Sequence, residues 1–119
     1  MCGIAGYYSL TGVFQTHELH RMGHALAHRG PDADGFFSDS IVGLAHRRLK
    51  ILDLSQEANQ PMFTDNKQHT IVYNGEVYNY NDLRREYQIP VHTSSDTEII
   101  LHLLANKGIQ ACNEFNGMF

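Results

Sequence analysis

The feature that most constrains the fold is the run from Ser95 to Gly108. Ser95-Asp96-Thr97-Glu98 has the pattern of a capping box, with Ser95 as cap and Glu98 three residues on. The helix it opens puts Ile99, Ile100, Leu103 and Leu104 on one face and stops at Gly108. Such a helix is stable only against a complementary apolar surface. The rest of the chain supplies that surface as short strands. Residues 3–9 are apolar and aromatic and end at Ser9 and Thr11-Gly12; Phe36-Phe37-Ser38, residues 41–47 and Thr70-Ile71-Val72-Tyr73 read the same way. A further helix is expected over 17–27, capped by Thr16, with Glu18 in its first turn and Leu19, Met22 and Leu26 on one face. Gly30 and Pro31 end it. Residues 53–68 are polar and broken by Pro61, so a loop is predicted. Asn79 or Asn81 starts a short helix to about Tyr87, and a last short helix carries Ile109, Cys112 and Phe115. Strands and helices mixed within 119 residues predict one domain, α+β or layered α/β.

Charge and composition narrow the function. Nine Lys+Arg against thirteen Asp+Glu give a net charge of −4, with no basic stripe for nucleic acid or an anionic membrane. No apolar run approaches the roughly 18 residues of a membrane span, and the N-terminus lacks the features of a signal peptide. Two cysteines without a secretion signal point to the reducing cytoplasm. His17, His20, His24 and His28 share one helix face, opposite Leu19, Met22 and Leu26. Imidazoles so spaced can bind zinc. No carboxylate or cysteine at zinc spacing closes the site, so no physiological metal is expected.

Several residues carry chemistry. Cys2, once Met1 is removed, would offer a thiol and its own α-amine, a nucleophile with a base on the same residue. Asn74-Gly75 between apolar runs is a strong hairpin signal. The same pair can aim the Asn amide and the Gly N–H at one oxygen, as an oxyanion requires. Of the arginines in His46-Arg47-Arg48-Leu49, one pointing inward would clamp a carboxylate. Asp96, in the first turn of the capped helix, complements the helix dipole or binds an ammonium group.

Taken together, the motifs carry a resemblance. Met1-Cys2-Gly3-Ile4-Ala5-Gly6, His28-Arg29-Gly30-Pro31-Asp32 with Gly35, and Leu44-Ala45-His46-Arg47-Arg48-Leu49 with Ile51 and Asp53 occur in that order. Gln60-Pro61-Met62, Tyr73-Asn74-Gly75-Glu76-Val77-Tyr78-Asn79 and Ser95-Asp96-Thr97-Glu98 follow. The chain closely resembles the N-terminal glutaminase domain of glutamine-dependent asparagine synthetases, the class II glutamine amidotransferases. Pro31-Asp32 after His-Arg-Gly is similar to the asparagine-synthetase branch; the aminosugar-synthesising branch usually has a Tyr in place of Pro31.

The resemblance spans residues 1–119 and implies an N-terminal-nucleophile hydrolase fold, a four-layer αββα sandwich. It implies that Cys2 attacks the side-chain amide of glutamine and forms a glutamyl thioester. Asn74 and Gly75 match the oxyanion pair. Arg48 matches the arginine on the substrate α-carboxylate, with Leu49, Lys50, Ile51 and Leu52 lining the pocket. Glu76 and Asp96 match acidic pocket residues, with Asp96 on the α-ammonium. Lys50 departs mildly from the family, which more often has a small residue there. No cofactor is expected in these residues; ATP and magnesium are expected only for the synthetase domain, which is absent here, as is its phosphate loop. The expected partners are glutamine, a second copy in a homodimer, or a synthetase domain that passes the ammonia to an acceptor such as aspartate. Because the family's domain continues past Phe119, the chain is expected to be a fragment, incomplete at its C-terminal strands, marginal in stability and prone to self-association. A non-catalytic glutamine-binding fragment is the alternative reading.

Overall fold

The structure, a computed structural model, describes residues 2–119. Its largest sheet is antiparallel, with β1 (Gly3–Tyr8), β2 (Ala33–Ser38) and β3 (Val42–Arg48) in the order β1-β3-β2. Helix α1 (Thr16–Ala25) crosses one face through Leu19, which is fully buried, and Gly23, which abuts Phe36 and Ala45. Side chains alternate along a strand, and this sorts β3 by function. Arg47 turns toward α1, donating Nε–H to the Gly23 carbonyl at 3.0 Å and pairing with Asp34 at 3.0 Å. His46 and Arg48, both buried, turn to the opposite face.

That face meets two short pairings, β4 (Met62–Phe63) with β5 (Thr70–Ile71) and β6 (Glu76–Val77) with β7 (Gly117–Met118). Helices α2 (Tyr80–Glu86) and α3 (Asp96–Lys107) and the 3-10 turn Gly108–Glu114 complete the chain. Val77, Leu83, Ile89, Ile99, Ile100, Leu103 and Ala111 form one buried cluster, with Ile71, Tyr73 and Phe115 packed against it. Asn79 ties its edge, donating from Nδ2 to the Glu114 carbonyl at 2.9 Å and accepting from the Asn116 N–H at 2.9 Å. The architecture is α+β, with small antiparallel sheets. Among the described residues, no helix is long and apolar enough to cross a membrane.

Several sequence expectations need correction. Gln15, not Thr16, is the cap of α1, and its N–H donates to Glu18 Oε2 at 2.8 Å. Ser95 does cap α3, accepting from the Thr97 N–H at 3.2 Å. The second half of the capping box is absent, because Glu98 turns back to accept from the His92 and Thr93 N–H groups at 2.9 and 2.8 Å. Helix α3 buries more than one stripe, from Asp96 through Leu101 and again at Leu103, because α2, the 3-10 turn, β4 and β5 all pack on it. The stretch 53–68 contains β4, and the expected strand from Thr70 to Tyr73 stops pairing at Ile71. In the last turn Ala111 is buried, while Ile109 is exposed. Whether Met1 is removed lies outside the described residues.

Leu19 fills the contact between α1 and the sheet with no exposure. Leu19→Ala is expected to cost about 3 kcal/mol, as for a truncated core leucine. Urea unfolding monitored by circular dichroism measures it; a cost under about 1 kcal/mol would mean that α1 is not anchored there.

Candidate active site

Cys2 precedes β1, and β1 runs antiparallel to β3, with Gly3 opposite Arg47. This register brings the thiol beside the residues that follow β3. The Leu49 N–H donates to Cys2 Sγ at 3.4 Å, and the thiol lies 3.7 Å from the Leu49 carbonyl. The turn after α1 frames the same place. Arg29 donates Nε–H to the Cys2 carbonyl at 3.0 Å. Asp32 accepts from the Lys50 N–H at 2.9 Å, and its own N–H donates to the Arg48 carbonyl at 3.0 Å. The motif from His28 to Asp32 therefore fixes both the strand that carries Cys2 and the segment facing it.

Arg48 projects from the last position of β3. Its guanidinium donates to the Ser55 carbonyl and to Asn59 Oδ1, each at 2.7 Å, and to the Asp53 carbonyl. The 53–59 loop is thus folded around a buried cation. Asp53 extends the connection: its carboxylate accepts from the Ser55 N–H at 2.7 Å and from the Ser94 N–H and hydroxyl at 2.8 and 2.9 Å. Hydrogen bonds from Ser55, then Ser94, hold that carboxyl well below the usual carboxylate range. Ser94 adjoins the α3 cap, so Arg48 and Asp96 are held by one connected set of polar contacts. Asp96 is buried and accepts from the Val77 N–H at 2.9 Å. Its burial raises its pKa, against the backbone hydrogen bonds it receives.

Asn74 and Gly75 join β5 to β6, which belong to different sheets, so the pair does not close a hairpin. Gly75 is required by close approach. A Cβ there would stand 2.4 Å from the Met118 carbonyl oxygen and 2.6 Å from Tyr73 Oη.

Cys2, Arg48, Leu49, Ile51, Leu52, Asn74, Gly75, Glu76 and Asp96 all line one cavity of about 360 Å³, within the range for small-molecule sites. Lys50 is not among the residues lining it; its N–H is turned to Asp32. The cavity wall also contains Gln60 and Tyr73. Gln60 appeared in the sequence only as part of a motif, and its role rests on burial, which residue type does not announce. His46 has the same weakness: it stands in the sequence only as a member of the motif from Leu44 to Leu49. His17, His20 and His24 of α1 and His28 in the turn beyond it are exposed, and His20 packs its ring 4.1 Å from that of Phe36. Among the described residues, no three His, Cys, Asp or Glu side chains are grouped to hold a metal ion.

A sequence profile of the glutamine amidotransferase domain matches residues 1–119. The chain belongs to the glutamine amidotransferase domain family. It is 39% identical over 124 residues to asparagine synthetase [glutamine-hydrolyzing] 2 of Bacillus subtilis, covering all of this chain and 16% of that protein. It is 36% identical over 126 residues to asparagine synthetase [glutamine-hydrolyzing] 1 of the same organism, covering all of this chain and 20% of the relative. Asparagine synthetase B [glutamine-hydrolyzing] of Escherichia coli is 36% identical over 123 residues, again over all of this chain and 22% of its own length. The chain therefore spans about a fifth of the length of these relatives.

One titration follows from the geometry behind the cavity. His46 Nε2–H donates to the Tyr73 carbonyl at 3.2 Å. Burial lowers the imidazole pKa to about 4, the hydrogen bond to Tyr73 opposing and the Arg48 charge reinforcing it. An unfolded histidine titrates near 6.5. Between these values the unfolded chain binds a proton that the native chain refuses, so stability falls as pH drops from about 6.5 to about 4. The loss is expected to reach up to about 3 kcal/mol. Denaturation across this range for wild type and His46→Gln measures it. The wild type should lose the extra stability and the variant should not; parallel curves would mean that His46 is protonated in the native state.

Proposed function

We propose that this domain hydrolyses the side-chain amide of glutamine through a covalent thioester. The observation that carries the reading is that Cys2, Arg48, Asn74, Gly75 and Asp96 line the same cavity. A zwitterionic amino acid needs a cation for its carboxylate and an anion for its ammonium. Arg48 and Asp96 supply these charges from opposite ends of one polar network, with Glu76 adding negative charge. Leu49, Ile51 and Leu52 cover the aliphatic stem.

In the first half-reaction, Cys2 Sγ forms a bond to the amide carbon. The carbonyl oxygen takes up negative charge and accepts from Asn74 Nδ2 and the Gly75 N–H. The C–N bond then breaks, and the nitrogen leaves as ammonia, carrying the proton released by the thiol. The base is the Cys2 α-amine once Met1 is removed. In the second half-reaction, water adds to the thioester carbon, the C–S bond breaks, and the thiol and glutamate are regenerated. These steps use no cofactor. The family membership supports an N-terminal-nucleophile hydrolase sandwich as the complete domain. The relatives' names support ammonia transfer to an acceptor such as aspartate. That transfer would take place on a synthetase domain using ATP and magnesium, joined to this domain or brought by dimer assembly in the cytoplasm.

Two variants separate chemistry from binding. Cys2→Ala is expected to abolish glutamine hydrolysis in the full-length protein while leaving glutamine binding by calorimetry near normal; turnover well above background would sink the thioester. Asn74→Ala is expected to lower kcat by about 10²–10³ with little change in KM. A raised KM at normal kcat would instead make Asn74 a binding contact.

Arg48→Lys tests the carboxylate site. A point charge cannot reproduce a planar fork on a carboxylate and the 53–59 loop together. KM for glutamine should therefore rise by about tenfold or more, and unchanged kinetics would assign carboxylate binding to the main chain.

A further inference from the structure

The main chain at Tyr73 is held in an unusual way. β5 stops pairing at Ile71, so neither polar group of the Tyr73 main chain has a partner strand. Two buried side chains take them instead. Gln60 Oε1 accepts from the Tyr73 N–H at 2.5 Å, and His46 Nε2–H donates to the Tyr73 carbonyl at 3.2 Å. Both clamps are themselves fixed. Gln60 Nε2 donates to Thr97 Oγ1 in α3 at 3.3 Å. The Gln60 main chain is pressed on β2, where a Cβ at Gly35 would lie 2.0 Å from the Gln60 carbonyl oxygen. His46 sits at the centre of the sheet, paired with Ile4 in β1 and Gly35 in β2.

Tyr73 immediately precedes Asn74. The Tyr73 N–H lies in the peptide plane before its Cα and the Tyr73 C=O in the plane after it, so gripping both fixes the two planes on either side of Tyr73, and the second of them carries the Asn74 Cα. We infer that His46 and Gln60 are positioning residues for the oxyanion hole, which aim Asn74 and the Gly75 N–H by fixing the Tyr73 main chain. This rests on the reading of Asn74 and Gly75 given above. Secondary-structure hydrogen bonds alone would leave the hole on a free connection between two sheets. The clamp ties it to the sheet that carries Cys2 and to the helix that carries Asp96. Misplacement of a donor by a fraction of an ångström matters far more to a transition state than to ground-state binding.

The test compares isosteric variants in the full-length protein. His46→Gln keeps a donor at the Nε2 position; His46→Asn places its amide at the Nδ1 position, out of reach of the Tyr73 carbonyl. Gln60→Met keeps the volume and removes the acceptor. His46→Asn and Gln60→Met are expected to lower kcat for glutamine by about 10- to 100-fold with KM within about twofold, and His46→Gln to restore most of the loss. Amide hydrogen exchange should quicken at Asn74 and Gly75 in the two impaired variants and not in His46→Gln. Folded His46→Asn and Gln60→Met proteins with wild-type kcat would overturn the inference. So would failure of both to fold, which would make the clamp a stability element only. Wild type that shows no Cys2-dependent hydrolysis would instead overturn the reading on which it rests, with the exchange data still reporting whether the clamp orders this segment.

Discussion

A buried charge must be answered, and in this domain the answer builds the site. Arg48 carries its guanidinium to the inner face of β3 and is met by the Asp53 and Ser55 carbonyls and by Asn59. Those contacts fold the 53–59 loop, and the loop presents Asp53 to Ser94. Ser94 fixes the approach to the α3 cap, and α3 begins with Asp96, which holds β6 through the Val77 N–H. Each link satisfies a polar group that would otherwise be unpaired away from water. The same links set the distance between the proposed carboxylate and ammonium sites.

Two networks therefore meet at the cavity. One runs from Arg48 through Asp53 to α3 and shapes the recognition end. The other runs from His46 and Gln60 to Tyr73 and shapes the segment opposite Cys2. Apolar packing of Val77, Ile99 and Leu103 holds the second sheet pair on α3. Directional contacts do the rest, because hydrophobic burial fixes volume but not the aim of a donor.

How far the sequence revealed this depends on the kind of signal. Several elements were legible: apolar runs located β1, β3 and the second half of β2, Ser95 marked the start of α3, and Gly108 its end. Ordered motifs gave the family. The bonding pattern was less legible. Glu98 was read as the partner of its own cap but accepts from His92 and Thr93 in the preceding loop, while the Ser95 N–H donates to Thr93 Oγ1. Asn74-Gly75 has the local form of a hairpin, and only the separate pairing of β5 and β6 shows that it joins two sheets. His46 and Gln60 escaped because their task depends on Tyr73 lacking a strand partner, a fact of tertiary pairing that no single residue encodes.

The central claim is that the cavity brings glutamine to Cys2 for covalent attack. It is tested most directly by acid-quenching the full-length protein within one turnover of glutamine and mapping the modified peptide by mass spectrometry. The account predicts one glutamyl group, labile to hydroxylamine as a thioester is, on Cys2 and no other residue. Steady glutamate production with no adduct on Cys2 at any quench time, or with the adduct on Cys112, would contradict it.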